Sequence, residues 1–321
     1  METIAETRNL TKYYHQFCAL KDISIRIQRG DIYGLIGDNG AGKTTFLKLL
    51  AGQIYPSSGE LQLFGAHLPK EQDAQRPRLG VMIEEAGFYH NLTVEQNLEY
   101  YRIQKGIPGR QAVEEALEMT GLTAVRKKPG NALSLGMKQR LGLAIALIGV
   151  PEFLLLDEPI NGLDPSGIIE MRTLLLKLNR EKNITILLSS HILSELEQLA
   201  TVYGFLQEGH LLEQISARQL HEKCVNYVEI QVSDPERYAV LLEQKLNHTR
   251  YQIQPDGKIH ILSADGETQR YSRLASDAGL SVLELSRRQQ SLEDYYIHLK
   301  SNTGAGHANK DAVNGPKMEV H

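Results

Sequence analysis

A glycine-rich stretch, GDNGAGKTT from Gly37 to Thr45, separates two differently patterned segments of the chain. The apolar run DIYGLIG before it predicts a short buried strand, and the apolar residues of 42–51 recur at helical spacing. Glycines at such a junction let backbone N–H groups approach phosphate oxygens, and the N-terminus of a helix adds a favourable dipole. The pattern therefore predicts a phosphate-binding loop rather than a simple glycine-rich turn, and it favours an α/β fold in which this strand leads directly into a helix.

The same pattern assigns roles to individual residues of the loop. Lys43 is expected at the β- and γ-phosphates of a nucleoside triphosphate, and the Thr44 hydroxyl is expected to bind Mg²⁺. The residues expected around the phosphates are Gly37, Asp38, Asn39, Gly40, Ala41, Gly42, Lys43, Thr44 and Thr45.

Two further apolar runs, FLLLDEP and ITILLSSH, predict parallel strands that are covered on both faces, because neither has a polar face. A helical pattern at 166–180 lies between them, as in a β-α-β unit. The first run ends in Asp157 and Glu158. In a chain that also has a phosphate-binding loop earlier in its sequence, the first acid of such a pair is expected to hold Mg²⁺. The second acid is expected to orient and deprotonate an attacking water.

The pattern of the chain changes near residue 222. Strand-like and helical segments then follow in the order β-α-β-β-α-β, with a PDG turn between the two middle strands. This order predicts a small ferredoxin-like α+β domain over 222–300, after a nucleotide-binding domain over 1–221. From Ser301 to His321 no apolar period continues, and this tail, 301–321, is predicted to be disordered.

The composition excludes several classes of protein. A net charge of -4 gives no support for a nucleic-acid partner. The N-terminal METIAETRNL lacks the basic flank and apolar core of a signal peptide. The most apolar segment, from Leu141 to Leu156, is interrupted by Pro151 and Glu152, and a membrane span needs about 20 apolar residues. We therefore expect that the chain does not cross a membrane by itself.

Four further motifs accompany the phosphate-binding loop and the Asp-Glu pair. LSLGMKQR begins at Leu133, NGLDP begins at Asn161, LLSSH ends at His191, and LTKYYH contains Tyr14. Together they resemble, over about residues 4–220, the ATP-binding subunits of ABC transporters. In that family the corresponding elements are the signature segment, the D-loop, the switch histidine and the aromatic residue that stacks on adenine.

The resemblance implies that two cassettes close around two ATP molecules, each held by the loop of one subunit and the signature segment of the other. Ser134 and Gly136 would contact the γ-phosphate across the interface, and Asp164 of the D-loop would lie at the bound nucleotide. His191 would contact the γ-phosphate and hold the attacking water, while Tyr14 would stack on adenine.

Two departures from the common family pattern point to one branch of it. In the signature segment Leu135 replaces a glycine and Met137 replaces a glutamine, and a branch that exports peptide antibiotics often has LS-x-GM-K-Q-R there. LGVMIE stands where most members have IGYVPQ, which places Glu84 at the position of a glutamine that ligates Mg²⁺. This resembles the E-loop variant of lantibiotic-immunity and bacitracin-type exporters. Glu84 is therefore a further candidate metal ligand, and the alternative is a solvated acid at a strand end.

The loop after Glu84, AGFYHNL, resembles the region where cassettes of this family meet their membrane partner, at the start of a helical subdomain over about 88–150. Phe88 and Tyr89 would suit a groove that receives a short helix of that partner. For Phe88, packing under the helical subdomain is the alternative.

The resemblance implies the ATP-binding and ATP-hydrolysing subunit of an ABC exporter for antimicrobial peptides or drugs. It would use ATP and Mg²⁺, pair with a second cassette as a homodimer, and drive a separate multispanning permease from the cytoplasmic face of the cell membrane. Two alternatives stay open. One is a soluble regulatory ABC ATPase that switches a partner protein without transport. The other is a cassette that no longer hydrolyses ATP, against which the intact Lys43, Asp157, Glu158 and His191 argue.

Overall fold

The computed structural model describes residues 2–84, 87–224, 226–262, 268–289 and 291–307. The chain divides into two compact units, of which one comprises Met1–Ala217 and the other Arg218–Asn302. The division falls at the start of a helix, Ala217–Lys223, so the predicted boundary at 221/222 lies inside that helix. Within the described residues, none of the helices combines the length and the apolar character that a membrane crossing requires.

The first unit alternates strands and helices along much of its length. Its strands are β1 (Thr3–Tyr14), β2 (Phe17–Ile23), β3 (Arg26–Gln28), β4 (Ile32–Ile36), β5 (Ser58–Leu63), β6 (Leu79–Met82), β7 (Phe153–Asp157), β8 (Thr185–Ser190), β9 (Val202–Gln207) and β10 (His210–Ser216). Its helices are α1 (Lys43–Ala51), α2 (Pro69–Gln75), α3 (Val94–Gln104), α4 (Gln111–Met119), α5 (Leu135–Leu147), α6 (Pro165–Lys182) and α7 (Leu193–Glu197), and α8 (Ala217–Lys223) follows β10.

The central sheet has the strand order β10-β9-β4-β8-β7-β6. Strands β9, β4, β8, β7 and β6 pair in parallel, and β10 joins the edge antiparallel to β9. Every residue of β4, β7 and β8 is buried, which explains why the middle of each strand lacks a polar face. The carboxyl ends of β4, β6, β7 and β8 meet at one edge, where open α/β sheets bind their ligands. This confirms the predicted α/β fold of the cassette.

The alternation of Ile23, Ile25 and Ile27 predicts one strand with one buried face, but the chain forms two strands here, because β2 ends at Ile23 and β3 begins at Arg26. All three isoleucine side chains are buried, as the alternation predicted. Side-chain hydroxyls take over the hydrogen bonds at the break. The Asn9 N–H donates to Ser24 Oγ at 2.9 Å, and the Ile25 N–H donates to Thr7 Oγ1 at 3.0 Å.

The apolar pattern over 93–120 predicts a helical segment, and the chain forms two helices there, α3 and α4. Gly106 and Gly109 lie between them with φ of +67° and +70°, a left-handed conformation that ends a helix, and Pro108 cannot continue one. The helices α3, α4 and α5 pack around a core that includes Leu98, Leu117 and Leu141.

The second unit contains β11 (Asn226–Val232), α9 (Pro235–Leu246), β12 (Tyr251–Ile253), β13 (Ile259–Leu262), α10 (Thr268–Asp277), β14 (Val282–Gln289) and α11 (Leu292–His307). Its sheet is antiparallel with the order β12-β13-β11-β14, and its core joins the sheet to α9 and α10. The order of elements is the one that the sequence predicted. Ser291 caps α11, because its Oγ accepts from the Asp294 N–H at 3.1 Å.

The predicted disorder of 301–321 is wrong at its start, since α11 continues to His307. A regular spacing of apolar residues indicates only that one face of a helix packs against other residues. The loss of this spacing at Ser301 therefore does not mark the end of the helix. The rest of the predicted tail, 308–321, lies outside the described residues.

Candidate nucleotide-binding site

The glycine-rich loop follows β4 and leads into α1 at Lys43. It forms most of the wall of a cavity of about 310 Å³, together with Phe17, Ala19 and Glu158. The loop residues that line the cavity are Asp38, Asn39, Gly40, Ala41, Gly42, Lys43, Thr44 and Thr45. The loop therefore surrounds a space at the helix N-terminus, where backbone N–H groups and the helix dipole favour an anion.

Two glycines are required by the packing behind this loop. Gly42 has φ of +105°, and a Cβ there would lie 2.6 Å from Leu20 Cδ2 and 2.8 Å from the Ala19 oxygen. A Cβ on Gly37 would lie 2.6 Å from the backbone oxygen of Leu206. Larger residues would push the loop away from β2 and β9, so these glycines set the position of the loop.

Lys43 is 6% exposed, and its ammonium group lies at the cavity. The Nζ atom donates to the backbone oxygens of Gly37 at 2.6 Å and Asp38 at 3.3 Å. It also forms an ion pair with Glu158 Oε1 at 3.3 Å. The loop thus holds its cation with its own carbonyl groups, and the carboxylate of Glu158, outside the loop, balances part of the charge.

Asp157, at the end of β7, lies directly beside α1. The Thr44 hydroxyl donates to Asp157 Oδ2 at 2.7 Å, and the Ser189 hydroxyl donates to Asp157 Oδ1 at 2.5 Å. Ser189 Oγ also accepts from the Glu158 N–H at 2.9 Å. The hydroxyl of Thr44 and the carboxylate of Asp157 are hard oxygen donors, the type that suits Mg²⁺ beside a phosphate.

Sequence reasoning missed Ser189, which positions both acids. It lies opposite Asp157 in the parallel pairing of β7 with β8 and is fully buried. The run LLSSH contains two serines, and hydroxyls in an otherwise apolar strand are the signal that could have found it, since a buried hydroxyl needs a partner.

Glu158 follows β7 with φ of +48°, an uncommon conformation for a residue with a side chain. Its Oε1 faces Lys43, and its Oε2 is 2.8 Å from His191 Nδ1. His191 comes directly after β8 and is itself exposed. The predicted general base and the predicted switch histidine are therefore in direct contact at the edge of the cavity, and strained backbone of this kind is common at functional sites.

Tyr14 and Phe17 flank the β1–β2 turn and pair with each other in the sheet. Tyr14 is 40% exposed, with Lys12 Nζ 5.2 Å from the centre of its ring. Phe17 is 66% exposed and lines the cavity, whereas Tyr14 is not among the described residues that line it. Sequence reasoning missed Phe17, although an aromatic residue three positions after Tyr14 in the same turn was a visible signal.

Glu84 follows β6 with φ of +64°, and its carboxylate is 2.5 Å from Lys48 Nζ of α1. Its side chain is 63% exposed and does not belong to the described lining of the cavity. The ion pair connects the end of β6 to the helix that begins at the phosphate-binding loop. Sequence reasoning did not find Lys48 as the partner of Glu84.

Replacing Glu84 with glutamine is expected to leave the Kd for ATP within about twofold, because its ion pair with Lys48 is exposed. The rate of ATP hydrolysis is expected to change by up to about tenfold, because Glu84 adjoins the edge of the sheet where Asp157 and Glu158 lie. Nucleotide titration and steady-state phosphate release measure the two effects. Lys48→Met separates the roles: matching effects of both substitutions assign Glu84 to the ion pair, and an effect of Glu84→Gln alone favours a metal ligand. Glu60→Gln on β5 is the control. If Glu84→Gln changes neither the Kd for ATP nor the rate of hydrolysis, Glu84 is only a solvated acid at the end of a strand.

The signature segment begins α5, with Ser134 as its N-cap and with Ser134 Oγ accepting from the Met137 N–H at 3.3 Å. Ser134 is exposed, and Leu135, in place of the common glycine, is 49% exposed. Gly136 is close to the D-loop, because a Cβ there would lie 3.7 Å from Leu163 Cδ2. Neither Ser134 nor Gly136 belongs to the described lining of the cavity in the same chain.

Asp164 is the N-cap of α6. It accepts hydrogen bonds from the Ser166 hydroxyl at 2.7 Å and from the Gly167 N–H at 3.2 Å, and these bonds lower the pKa of its carboxyl. Like the signature residues, it is outside the described lining of the cavity. The structure thus brings together the loop, Asp157, Glu158 and His191, and it presents Ser134, Gly136 and Asp164 elsewhere on the same unit.

The chain resembles known proteins over nearly its whole length. It is 44% identical to the "Bacitracin transport ATP-binding protein BcrA" of Bacillus licheniformis, over 93% of this chain and 98% of that protein. It is 40% identical to the "Lantibiotic transport ATP-binding protein SrtF" of Streptococcus pyogenes, over 64% of this chain and 87% of that protein.

Solved structures show the same fold over about two thirds of the chain, as the coverage of 67% and 70% indicates. The cassette MJ0796, solved as a post-hydrolysis dimer bound to ADP and Pi, is 25% identical and matches 67% of this chain and 99% of its own with a TM-score of 0.61. The cbiO1 protein of Clostridium perfringens, part of the transporter complex cbiONQ, is 28% identical and matches 70% of this chain and 92% of its own with a TM-score of 0.64. The profile described as "ABC transporter" matches residues 20–161. The chain therefore belongs to the ABC transporter family, as an ATP-binding subunit that hydrolyses ATP.

Proposed function

We propose that this chain powers the export of a bacitracin-like or lantibiotic-like antimicrobial peptide through a separate membrane permease. The observation that carries the proposal is the extent of the similarity. The match to the bacitracin transport protein covers both units, whereas the solved cassettes match 67–70% of the chain. The element order and strand order of the second unit are those of a ferredoxin-like fold, to which we assign it.

ATP is proposed to occupy the cavity with its phosphates in the glycine-rich loop. Lys43, whose ammonium is already at the cavity, would pair with the β- and γ-phosphates, and Phe17 or Tyr14 would offer an aromatic face to the adenine. Thr44 and Asp157 are the residues that would hold Mg²⁺, and Glu84 is a candidate for the same ion. A bound Mg²⁺ would offset part of the negative charge of the phosphates.

The contacts of Glu158 support its role in hydrolysis. When ATP binds, the γ-phosphate becomes a partner of Lys43, and the Glu158 carboxylate is released to accept a proton from a water. The water oxygen then bonds to the γ-phosphorus, the bond to the bridging oxygen breaks, and its electron pair leaves with ADP. His191, 2.8 Å from Glu158, would keep the carboxylate and the water in line.

The position of the signature residues supports a paired state. Ser134 and Gly136 lie at the N-terminus of α5, where backbone N–H groups favour a phosphate, and they do not line the cavity of their own chain. We propose that they complete the ATP site of a second copy, with Asp164 near the same interface. MJ0796 has been solved as a dimer.

The loop after β6 is the proposed contact with the permease. Tyr89 and Tyr100 are 46% and 41% exposed, and their rings meet edge to face at 4.7 Å. Asn97 is fully buried and ties the loop to α3, because its Oδ1 accepts from the Tyr89 N–H at 2.7 Å. Phe88 is half-buried and packs on the core of the helical region, which favours the packing alternative for that residue. Tyr89 and Tyr100 therefore carry the contact, at the cytoplasmic face of the membrane.

The test is purification of the tagged chain from native membranes in mild detergent. A multispanning protein is expected to copurify, and a double substitution Tyr89→Ala/Tyr100→Ala is expected to reduce its yield by about tenfold, because exposed aromatics often carry most of an interface. Tyr55→Ala, also at an exposed tyrosine, is the control. Cells lacking the chain should lose resistance to bacitracin or to a lantibiotic. A chain that purifies without a multispanning protein, from cells of unchanged resistance, would instead support the soluble regulatory ATPase.

A further inference from the structure

The sheet of the second unit has a polar face opposite its core. Val228, Ile230 and Ile261 point towards α9 and α10, so the alternation of the strands places Tyr227, Glu229 and His260 on the other face. A cavity of about 300 Å³ lies on this polar face, between the sheet and α11. The polar residues that line it are Tyr227, Gln252, Gln254, His260, Asp294 and His298, and its volume is in the range of small-ligand sites.

The charge of Glu229 is balanced within the protein. This carboxylate is 8% exposed and lies 3.3 Å from Lys258 Nζ, 3.1 Å from His260 Nε2 and 3.5 Å from Arg288 Nε. Burial by itself raises the pKa of Glu229, but hydrogen bonds from Lys258 and His260 outweigh burial and hold the pKa below its ordinary value. Glu229 therefore needs no ligand, and its role is to fix the orientation of His260.

His260 presents a flat surface to the cavity. Its Nε2 contacts Glu229, and the side-chain nitrogen of Gln254 lies 3.1 Å from its Nδ1, so both ring nitrogens are engaged. The ring lies against Tyr227, with the ring centres 4.5 Å apart. In this arrangement the side-chain oxygen of Gln254 remains available as an acceptor.

Asp294 supplies an open acceptor to the cavity. Its Oδ2 accepts from the Ser291 N–H at 3.0 Å and from the Ser291 hydroxyl at 2.8 Å. Within the part of the chain that the structure describes, neither Asp294 Oδ1 nor the Gln252 amide has a side-chain hydrogen bond. Leu262 and Ile297 form the apolar part of the wall.

We propose that this cavity binds a small planar cation, an amidinium or guanidinium group joined to an aromatic ring. One carboxylate oxygen and one amide oxygen are open acceptors here, and the described lining contains no lysine or arginine. A planar cation carries parallel N–H donors that can pair with acceptors of this kind, and its ring can stack on Tyr227. The site belongs to the second unit and is independent of the transported peptide and of ATP.

The probe that tests the proposal is benzamidine, compared with neutral benzamide of nearly the same shape. Both are titrated into the full-length protein by isothermal titration calorimetry. Benzamidine is expected to bind with a Kd at or below about 1 mM and benzamide at least about tenfold more weakly, because only the cation forms a charge-assisted pair with Asp294. An excess of ATP should leave benzamidine binding unchanged, and displacement by ATP would place the probe in the nucleotide cavity and overturn the proposal.

Substitutions locate the probe. Asp294→Asn keeps an acceptor for Ser291 and should weaken benzamidine binding by about tenfold. Ile297→Lys is a second variant, which adds a positive charge at a residue that is 58% exposed and should weaken binding similarly while circular dichroism stays unchanged. Glu293→Gln removes an exposed carboxylate next to Asp294, outside the lining, and is the matched control. The proposal is overturned if benzamidine and benzamide bind equally well, or if Glu293→Gln weakens benzamidine binding as much as Asp294→Asn does. It is also overturned if no saturable binding is seen at about 10 mM benzamidine.

Discussion

Glu158→Gln is expected to lower the steady-state rate of ATP hydrolysis by about 100-fold or more, because general-base catalysis contributes that much and an amide cannot take the proton. The substitution also removes the negative charge that faces Lys43 at 3.3 Å. ATP should therefore bind at least as tightly as in the unchanged protein, and the bound ATP should persist. Phosphate release measures turnover, and size-exclusion chromatography with ATP and Mg²⁺ should show a stable dimer.

Glu197→Gln is the matched control for this substitution. Glu197 is an exposed carboxylate on α7, the helix that follows His191, and it does not line the nucleotide cavity. Its replacement should leave turnover within about twofold, as is usual for exposed positions. A Glu158→Gln protein that hydrolyses ATP at an unchanged rate would show that another group accepts the proton.

The proposed catalytic edge of the sheet could be predicted because each of its residues ends or follows an apolar run. The loop follows β4, Asp157 ends β7 and His191 follows β8, so the segments that carry chemistry are recognisable one at a time. Parallel strands align their carboxyl ends, and this brings the segments together without any further information. That Glu158 and His191 lie at the same edge follows from this rule.

Other contacts depend on information that a single sequence does not contain. Ser189 meets Asp157 because β7 and β8 are neighbours in a particular register, and the register results from packing across both faces of the sheet. Lys48 contacts Glu84 because α1 passes close to the end of β6. This proximity arises from the tertiary structure and not from the local sequence. Phe17 lines the cavity because the turn between β1 and β2 places it there, and the sequence does not show where that turn lies in the folded chain. The role proposed for Ser134 involves a second chain, so a single copy of the structure does not contain that part of the site.

Lys43→Met is expected to weaken ATP binding by about 10- to 100-fold, since hydrogen bonds to charged groups contribute about 1.5–3 kcal/mol. Methionine keeps much of the apolar stem of a side chain that is 6% exposed, so the fold should survive. The loss has two parts. The phosphates lose their cation, and the Glu158 carboxylate beside them loses the ammonium group that faces it at 3.3 Å.

The double variant Lys43→Met/Glu158→Gln separates these parts, because it removes the cation and the carboxylate together. If repulsion by Glu158 contributes, the double variant should bind ATP several-fold more tightly than Lys43→Met alone, which is a coupling that a double-mutant cycle measures directly. Fluorescent-nucleotide titration gives the affinities, and Lys70→Met, at an exposed lysine on α2, is the control. Additive effects of the two substitutions would mean that Glu158 moves away from Lys43 before ATP binds. Coupling between them would instead show that ATP itself displaces Glu158 from Lys43, which frees the carboxylate to act as general base towards the water.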